Sequence, residues 1–226
     1  MAAQRQLVTD ASHELRTPLT SLRTNVEVLA AAEDLSTEDR KRLLSDVVIQ
    51  IEELTELVGD LVDLARDEEA ADEVVDVRFD EVVERVVASA RRGAGNRRIG
   101  VDLAPTVVRG SPGRLYRAVA NLVDNALKWS PPEGMVEVVL ADGELSVTDD
   151  GPGIPAEDLD RVFDRFYRSP ANRGKPGSGL GLAIVHRVAE AHGGSVAADN
   201  AEEGGARLRF RLPLAQATTA APATVS

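Results

Sequence analysis

Residues 121–129 read Asn-Leu-Val-Asp-Asn-Ala-Leu-Lys-Trp. The surrounding segment from Ser111 to Trp129 predicts a helix. On it Asn121, Asn125 and Lys128 recur at spacings of four and three, so two amides and one ammonium share a face. Amide oxygens are neutral, hard ligands suited to Mg2+, and an ammonium suits phosphate oxygens. The same spacing also fits an ordinary polar helix surface, so its meaning depends on what flanks it.

Downstream, Met135–Leu140 and Glu144–Thr148 alternate apolar and polar residues around Asp142-Gly143, a β-hairpin signal. Directly after the second strand comes Asp149-Asp-Gly151-Pro-Gly153. Glycines there let backbone approach a ligand, and a carboxylate at a strand end can accept a hydrogen bond from an exocyclic amine such as that of adenine. A plain turn has the same composition. Gly153 to Gly177 shows little periodicity beyond a short helical piece near Ala156–Arg161, and a connection that long marks a functional lid. It contains Phe163-Asp-Arg-Phe-Tyr-Arg168, which also suits a hydrophobic anchor for the loop. Gly177-Ser-Gly179-Leu-Gly181-Leu182 then leads into a helix predicted over Ser178–His192, whose free N–H groups and positive dipole end suit phosphates. His186 and His192 read as ordinary helix residues. Strands at Ser195–Asp199 and Ala206–Leu212 close the segment, and the small, polar run 215–226 reads as a disordered tail.

Upstream, Val74–Phe79 and Ile99–Leu103 predict strands, with an amphipathic helix at Asp80–Arg92 between them. Before that the composition changes. From Gln4 to Arg66 there is one proline, Pro18, and no glycine until Gly59, which predicts long helices. A break over Ala32–Thr37 is marked by Ser36 followed three residues later by Asp39, a relative of the capping box. The helix from about Thr37 to Arg66 carries Val47, Ile51, Leu54, Val58, Leu61 and Ala65 alternately four and three residues apart, and Leu44, Val48, Leu57 and Leu64 widen that stripe. The first helix offers one partner face, through Val8, Ala11, Leu15, Leu22, Val26 and Leu29. Two helices of about 45 Å cannot bury so wide a stripe alone, so dimerisation into a four-helix bundle is expected. On the first helix, His13, Thr17, Thr20 and Thr24 lie together away from the apolar stripe. Pro18 has no N–H to give the Glu14 carbonyl and its ring crowds that group, so the helix should bend beside a solvent-facing His13.

The absence of cysteine excludes disulfides, iron–sulfur clusters and thiolate zinc sites. No apolar run approaches the roughly 18 residues that span a bilayer, the N-terminus is no signal peptide, and the chain reads as soluble. With aromatics at 3%, the core must be aliphatic. A net charge of -12 argues against nucleic-acid binding, but the charge is polarised. Residues 33–84 hold 19 acidic and 5 basic side chains, whereas residues 85–128 hold 9 basic and 2 acidic. The basic segment leads into the helix that bears Asn121 and Asn125, as an anionic ligand would require.

In this order and spacing, SHELRTPL, NLVDNALKW, DDGPGIP, FDRFYR and GSGLGL resemble the H, N, first glycine, F and second glycine boxes of bacterial sensor histidine kinases, over about Gln6–Leu214. The resemblance implies an α plus α/β chain. Residues 1–67 would form a helical hairpin that dimerises into a four-helix bundle and carries the phosphoacceptor. A linker at 68–76 would lead to a Bergerat-type (GHKL) ATP-binding α/β sandwich at 77–214. By the same resemblance His13 is the phosphoacceptor, Glu14 accepts its proton, and Thr17 orients water for dephosphorylating a partner. Asn125 ligates Mg2+ with Asn121 in support, and Lys128 contacts phosphates. Asp149 reads the adenine amine, beside Gly151 and Gly153. Gly177, Gly179, Gly181 and Leu182 line the phosphates, and Arg168 stabilises the transferring group. Trp129 replaces the more common Tyr or Phe, keeping an aromatic face near the nucleotide but offering a donor-only N–H. The expected partners are a second copy and the receiver domain of a response regulator. The expected location is the cytoplasmic side of a membrane receptor whose sensor and membrane segments lie upstream. Bergerat-fold ATPases of the chaperone, topoisomerase and mismatch-repair type place a carboxylate base at the position matching Asn121, and an amide cannot take a proton from water.

Overall fold

The computed structural model describes residues 2–31, 35–69, 73–169 and 177–215, so all but the first residue of the expected tail lies outside them. The chain divides into two compact units, 1–70 with 161–183, and 71–160 with 184–226.

In the first unit, α1 (Ala2–Ala31) and α2 (Thr37–Glu69) form the expected hairpin. Ser36 caps α2: its hydroxyl oxygen accepts the Asp39 N–H at 3.0 Å, and its O–H donates to the Asp39 carboxylate at 2.6 Å. Ser36→Ala is expected to cost about 1 kcal/mol, read as a lower urea midpoint for helix loss by circular dichroism. Nothing between Arg66 and Glu69 opposes a helix, so α2 runs past the expected end and takes the start of the predicted linker. Gln50 ties the two helices by donating to the Ser21 hydroxyl at 2.7 Å, and Leu57 is buried. The adjoining stripe is not covered. Leu44, Val48, Ile51, Val58 and Val62, four and three residues apart with Thr55 between them, are each about half exposed.

The second unit contains β1 (Val75–Arg78), α3 (Phe79–Gly93), β2 (Arg98–Leu103), β3 (Val107–Gly110), α4 (Pro112–Trp129), β4 (Met135–Ala141), β5 (Glu144–Asp149), β6 (Ser195–Asn200) and β7 (Ala206–Arg211), and most of α5 (Gly181–Ala191). Five strands form a mixed sheet in the order β2-β4-β5-β7-β6, in which β2 and β4 are parallel and the other pairs antiparallel. Alternate residues of the central strands, including Val138, Val147, Leu208 and Phe210, are buried with the apolar faces of α3, α4 and α5. The result is the expected two-layer sandwich. Asp142 and Gly143 turn the β4–β5 hairpin with φ of 50° and 78°, the left-handed pair that a two-residue turn needs.

Four local expectations are corrected. Phe79 opens α3 instead of ending β1, and its fully buried ring packs against Phe210 with centroids 6.0 Å apart. β3 was not anticipated; it is four residues long and pairs with β1 through Val77 and Val108. The segment near 156–161 forms successive turns, with i to i+3 bonds from the Asp158 N–H to Pro155 and the Asp164 N–H to Arg161, because a run this short does not nucleate a helix alone. α5 begins at Gly181 rather than Ser178, since Gly177 and Gly179, at φ 148° and 71°, are outside helical geometry.

Candidate functional site

Strand alternation aims Asp149 inward. Leu145, Val147 and Asp149 share one face of β5, and the carboxylate is only 2% exposed. A buried charge needs partners. Asp149 Oδ1 accepts the Gly151 N–H at 2.8 Å and the Ala206 N–H at 3.2 Å, two charge-assisted bonds that fix the plane of the carboxylate and so the direction of its second oxygen.

That geometry dictates glycines. A Cβ on Gly151 would sit 2.6 Å from Asp149 Oδ1 and 2.9 Å from the Trp129 carbonyl oxygen, so the end of α4 and the loop after β5 are in close approach. A Cβ on Gly205, at φ 82°, would overlap the Asp149 carbonyl. Gly205→Ala is therefore expected to destabilise this unit by about 3 kcal/mol or more, seen as a lower thermal midpoint. Nothing in the sequence anticipated Asn200. Its amide accepts the Ile154 N–H at 2.7 Å and donates to the Ile154 carbonyl at 2.8 Å, while Gly153, at φ 76°, lets the loop pass Asn200 closely. The loop after Asp149 is thus pinned at both ends. Asp150 faces outward and accepts the Met135 N–H at 2.7 Å.

α4 starts at Pro112 with Ser111 as its cap, the hydroxyl accepting the Arg114 N–H. His192 also holds this end. Its Nε2 accepts the Ser111 N–H at 3.1 Å, so Nδ1 carries the proton and donates to the Val188 carbonyl at 2.7 Å. The histidine read as an ordinary helix residue is a clamp between α5 and α4. One turn apart on α4, Asn121 and Asn125 are both half-buried. Asn121 Nδ2 donates to the Arg117 carbonyl at 3.2 Å, and Asn125 Oδ1 accepts the Trp129 indole N–H at 3.2 Å. Lys128 lines a cavity of about 500 Å³ between α3 and α4 with Arg97, Tyr116 and Asp124. Among the described residues no three His, Cys, Asp or Glu side chains gather as a metal cage. The Asn125 amide oxygen is a neutral, hard donor of the kind that suits Mg2+.

In the other unit, the FDRFYR and GSGLGL segments meet. The Phe166 N–H donates to the Gly179 carbonyl at 2.9 Å, and a Cβ on Gly179 would sit 2.8 Å from the Phe166 carbonyl carbon. Arg161 stacks over the Tyr167 ring at 4.3 Å. Ser178 turns its hydroxyl to the Leu180 N–H at 3.1 Å, and the first N–H groups of α5, from Gly181 and Leu182, have no acceptor within the helix. Arg168 is half-buried. On α1, Pro18 lies inside the helix, while the side chains of His13, Glu14 and Thr17 lie outside the described residues. Thr20 and Thr24 on the same face are exposed, and their hydroxyls bond the carbonyls four residues back.

Residues 3–70 match the family described as His Kinase A (phospho-acceptor) domain, and residues 110–216 match Histidine kinase-, DNA gyrase B-, and HSP90-like ATPase. The chain is 50% identical over 212 residues to the signal transduction histidine-protein kinase/phosphatase MprB of Mycobacterium sp. (strain KMS), and 49% identical to that of Mycolicibacterium smegmatis. Each match covers 89% of this chain, which spans 41% and 43% of the two relatives. Among solved structures, the mycobacterial sensor histidine kinase MprB aligns with TM-score 0.58 and 42% identity, over 63% of this chain and 98% of that one. The Acinetobacter baumannii histidine kinase AdeS aligns with TM-score 0.63 and 26% identity, over 88% of this chain and 98% of that one.

Proposed function

The chain belongs to the sensor histidine kinases, and we propose that it is the kinase core of a two-component receptor, moving the γ-phosphoryl group of ATP to His13 and then to an aspartate of a response regulator. Residues 1–69, to the end of α2, serve as the dimerisation and phosphoacceptor domain, 70–74 as linker, and 75–214, from the start of β1, as catalytic domain. The observation that carries the reading is Asp149, a core-facing carboxylate held by two backbone N–H groups beside a glycine loop that Asn200 pins. Such a fixed acceptor suits the exocyclic amine of adenine.

Asp149 orients the base, and the N–H groups at the start of α5, with Gly177 and Gly179 clearing the way, bind phosphate oxygens. By the family resemblance, Lys128 and Arg168 would each supply positive charge to phosphate groups. Asn125, supported by Asn121, holds the divalent ion, which when bound neutralises charge on the phosphate chain. A histidine side chain in water titrates at a pH of about 6.5, so an imidazole in that setting is mostly neutral and nucleophilic at pH 7. One ring nitrogen of His13 attacks the γ-phosphorus, an N–P bond forms as the bond to the bridging oxygen breaks, and ADP leaves. Glu14 stabilises the imidazolium and takes its proton. The phosphoramidate then passes to the carboxylate of a receiver domain. Thr17 orients water for the reverse function, removal of phosphate from that regulator, and the kinase/phosphatase name of the 50% identical relative favours this second activity.

The uncovered stripe on α2 supports a homodimer, because a second hairpin laid against Leu44, Val48, Ile51, Val58 and Val62 completes a four-helix bundle. The receptor as a whole is membrane-anchored through segments outside this chain, which works on the cytoplasmic side. Among the described residues no helix is long and apolar enough to cross a membrane. The test is incubation with γ-labelled ATP and Mg2+, then addition of purified receiver domains. An acid-labile, alkali-stable label that moves to a receiver aspartate is expected. An acid-stable label, as on a hydroxyl, would overturn the reading.

A further inference from the structure

We propose that Trp129 is a positioning residue for the divalent ion: its indole N–H selects the orientation of the Asn125 amide that presents oxygen. The inference rests on the kinase reading, and specifically on Asn125 as the metal ligand. An asparagine amide rotates in a broad, two-fold well, so nothing intrinsic distinguishes the oxygen end from the nitrogen end. Only the oxygen coordinates a cation. Trp129 is one helical turn beyond Asn125, and its Nε1 lies 3.2 Å from Asn125 Oδ1. The indole nitrogen is a donor and never an acceptor, so the opposite flip would set an NH2 group against an N–H. One lone pair of Oδ1 takes the indole proton and the second is left for the ion.

The indole is itself well placed to impose this choice. Trp129 ends α4, and the helix hydrogen bonding continues past it through the Ser130 N–H to the Ala126 carbonyl at 2.9 Å. Its own carbonyl approaches Gly151 so closely that a Cβ there would be 2.9 Å away. The ring therefore hangs from backbone that the loop after Asp149 approaches closely. Asn121, a turn earlier, has its nitrogen end committed to the Arg117 carbonyl at 3.2 Å, so each amide on this face is oriented by a separate partner. Phenylalanine has no donor, and tyrosine carries its O–H at the tip of the ring, away from a side chain one turn back.

The test compares the full chain with two variants that lose the N–H. Trp129→Phe removes the donor and changes the ring. Substitution of the sole tryptophan by 3-benzothienylalanine removes the donor and keeps the shape, and 5-fluorotryptophan keeps both. Binding of a non-hydrolysable ATP analogue is followed calorimetrically across a Mg2+ titration, and ADP binding is measured in EDTA. The Mg2+ midpoint should rise about three- to tenfold in both donor-less proteins, with ADP affinity in EDTA within about twofold in the benzothienyl protein, which keeps the aromatic face, and the fluoro form matching the parent. An unchanged midpoint in the benzothienyl protein would overturn the proposal. So would an equal loss with and without metal, which would make the ring a stacking platform. If the parent chain bound no nucleotide at any Mg2+ concentration, the kinase reading would fall, and the proposal with it.

Discussion

His13→Gln will take no acid-labile label from γ-labelled ATP, a loss of about 10³-fold or more, while binding ATP as the parent does. Glutamine keeps the length and polarity of the side chain but has no nitrogen lone pair in the plane of a ring, so no phosphoramidate can form. Pro18 lies within α1 and cannot donate to the carbonyl of Glu14, so the helix is weakened one residue from the proposed phosphoacceptor. Glu14→Gln should keep some label but slow its appearance by roughly 10²-fold, because the amide cannot accept the imidazole proton. Persistence of an acid-labile label in His13→Gln would move the phosphoacceptor to another histidine. His192 is an unpromising substitute, since both its ring nitrogens are engaged between Ser111 and Val188.

What could be read from sequence was local, and what could not was long-range. The Ser36 cap, the Asp142-Gly143 turn and the amphipathic α3 and α4 each depend on residues within a few positions of one another, and each is present. The inward aim of Asp149 was also legible, because Leu145 and Val147 set the parity of β5 two and four residues earlier. By contrast, Asn200 and Ile154 are 46 residues apart, and His192 and Ser111 are 81 apart. Neither pair has a periodicity or motif to announce it, since the sheet and helix packing bring the partners together. Trp129 is the intermediate case. Its spacing from Asn125 was visible, but the bond depends on the rotamer of an indole at a helix end, which spacing alone does not fix.

Asp149→Asn will fold, bind ATP about 10²-fold more weakly and lose its preference for ATP over GTP. The argument turns on which end of the new amide faces the base. The N–H groups of Gly151 and Ala206 both point at Oδ1, so an asparagine must keep its oxygen there to satisfy two buried backbone donors. Its nitrogen is then forced into the position of the second carboxylate oxygen. An acceptor becomes a donor, and the adenine amine meets an NH2 group instead of a charged oxygen. Guanine carries a carbonyl oxygen at the equivalent ring position, so the parent carboxylate repels it and the variant amide donates to it. The neutral side chain also spares the cost of burying a charge, which keeps the fold stable despite weaker bonds to the two N–H groups. Calorimetric titration of both nucleotides, with thermal denaturation as the control for folding, reads the whole effect. A folded variant with parental ATP affinity would show that Asp149 does not contact the base, and its burial would then serve to hold the glycine loop and Ala206 in place.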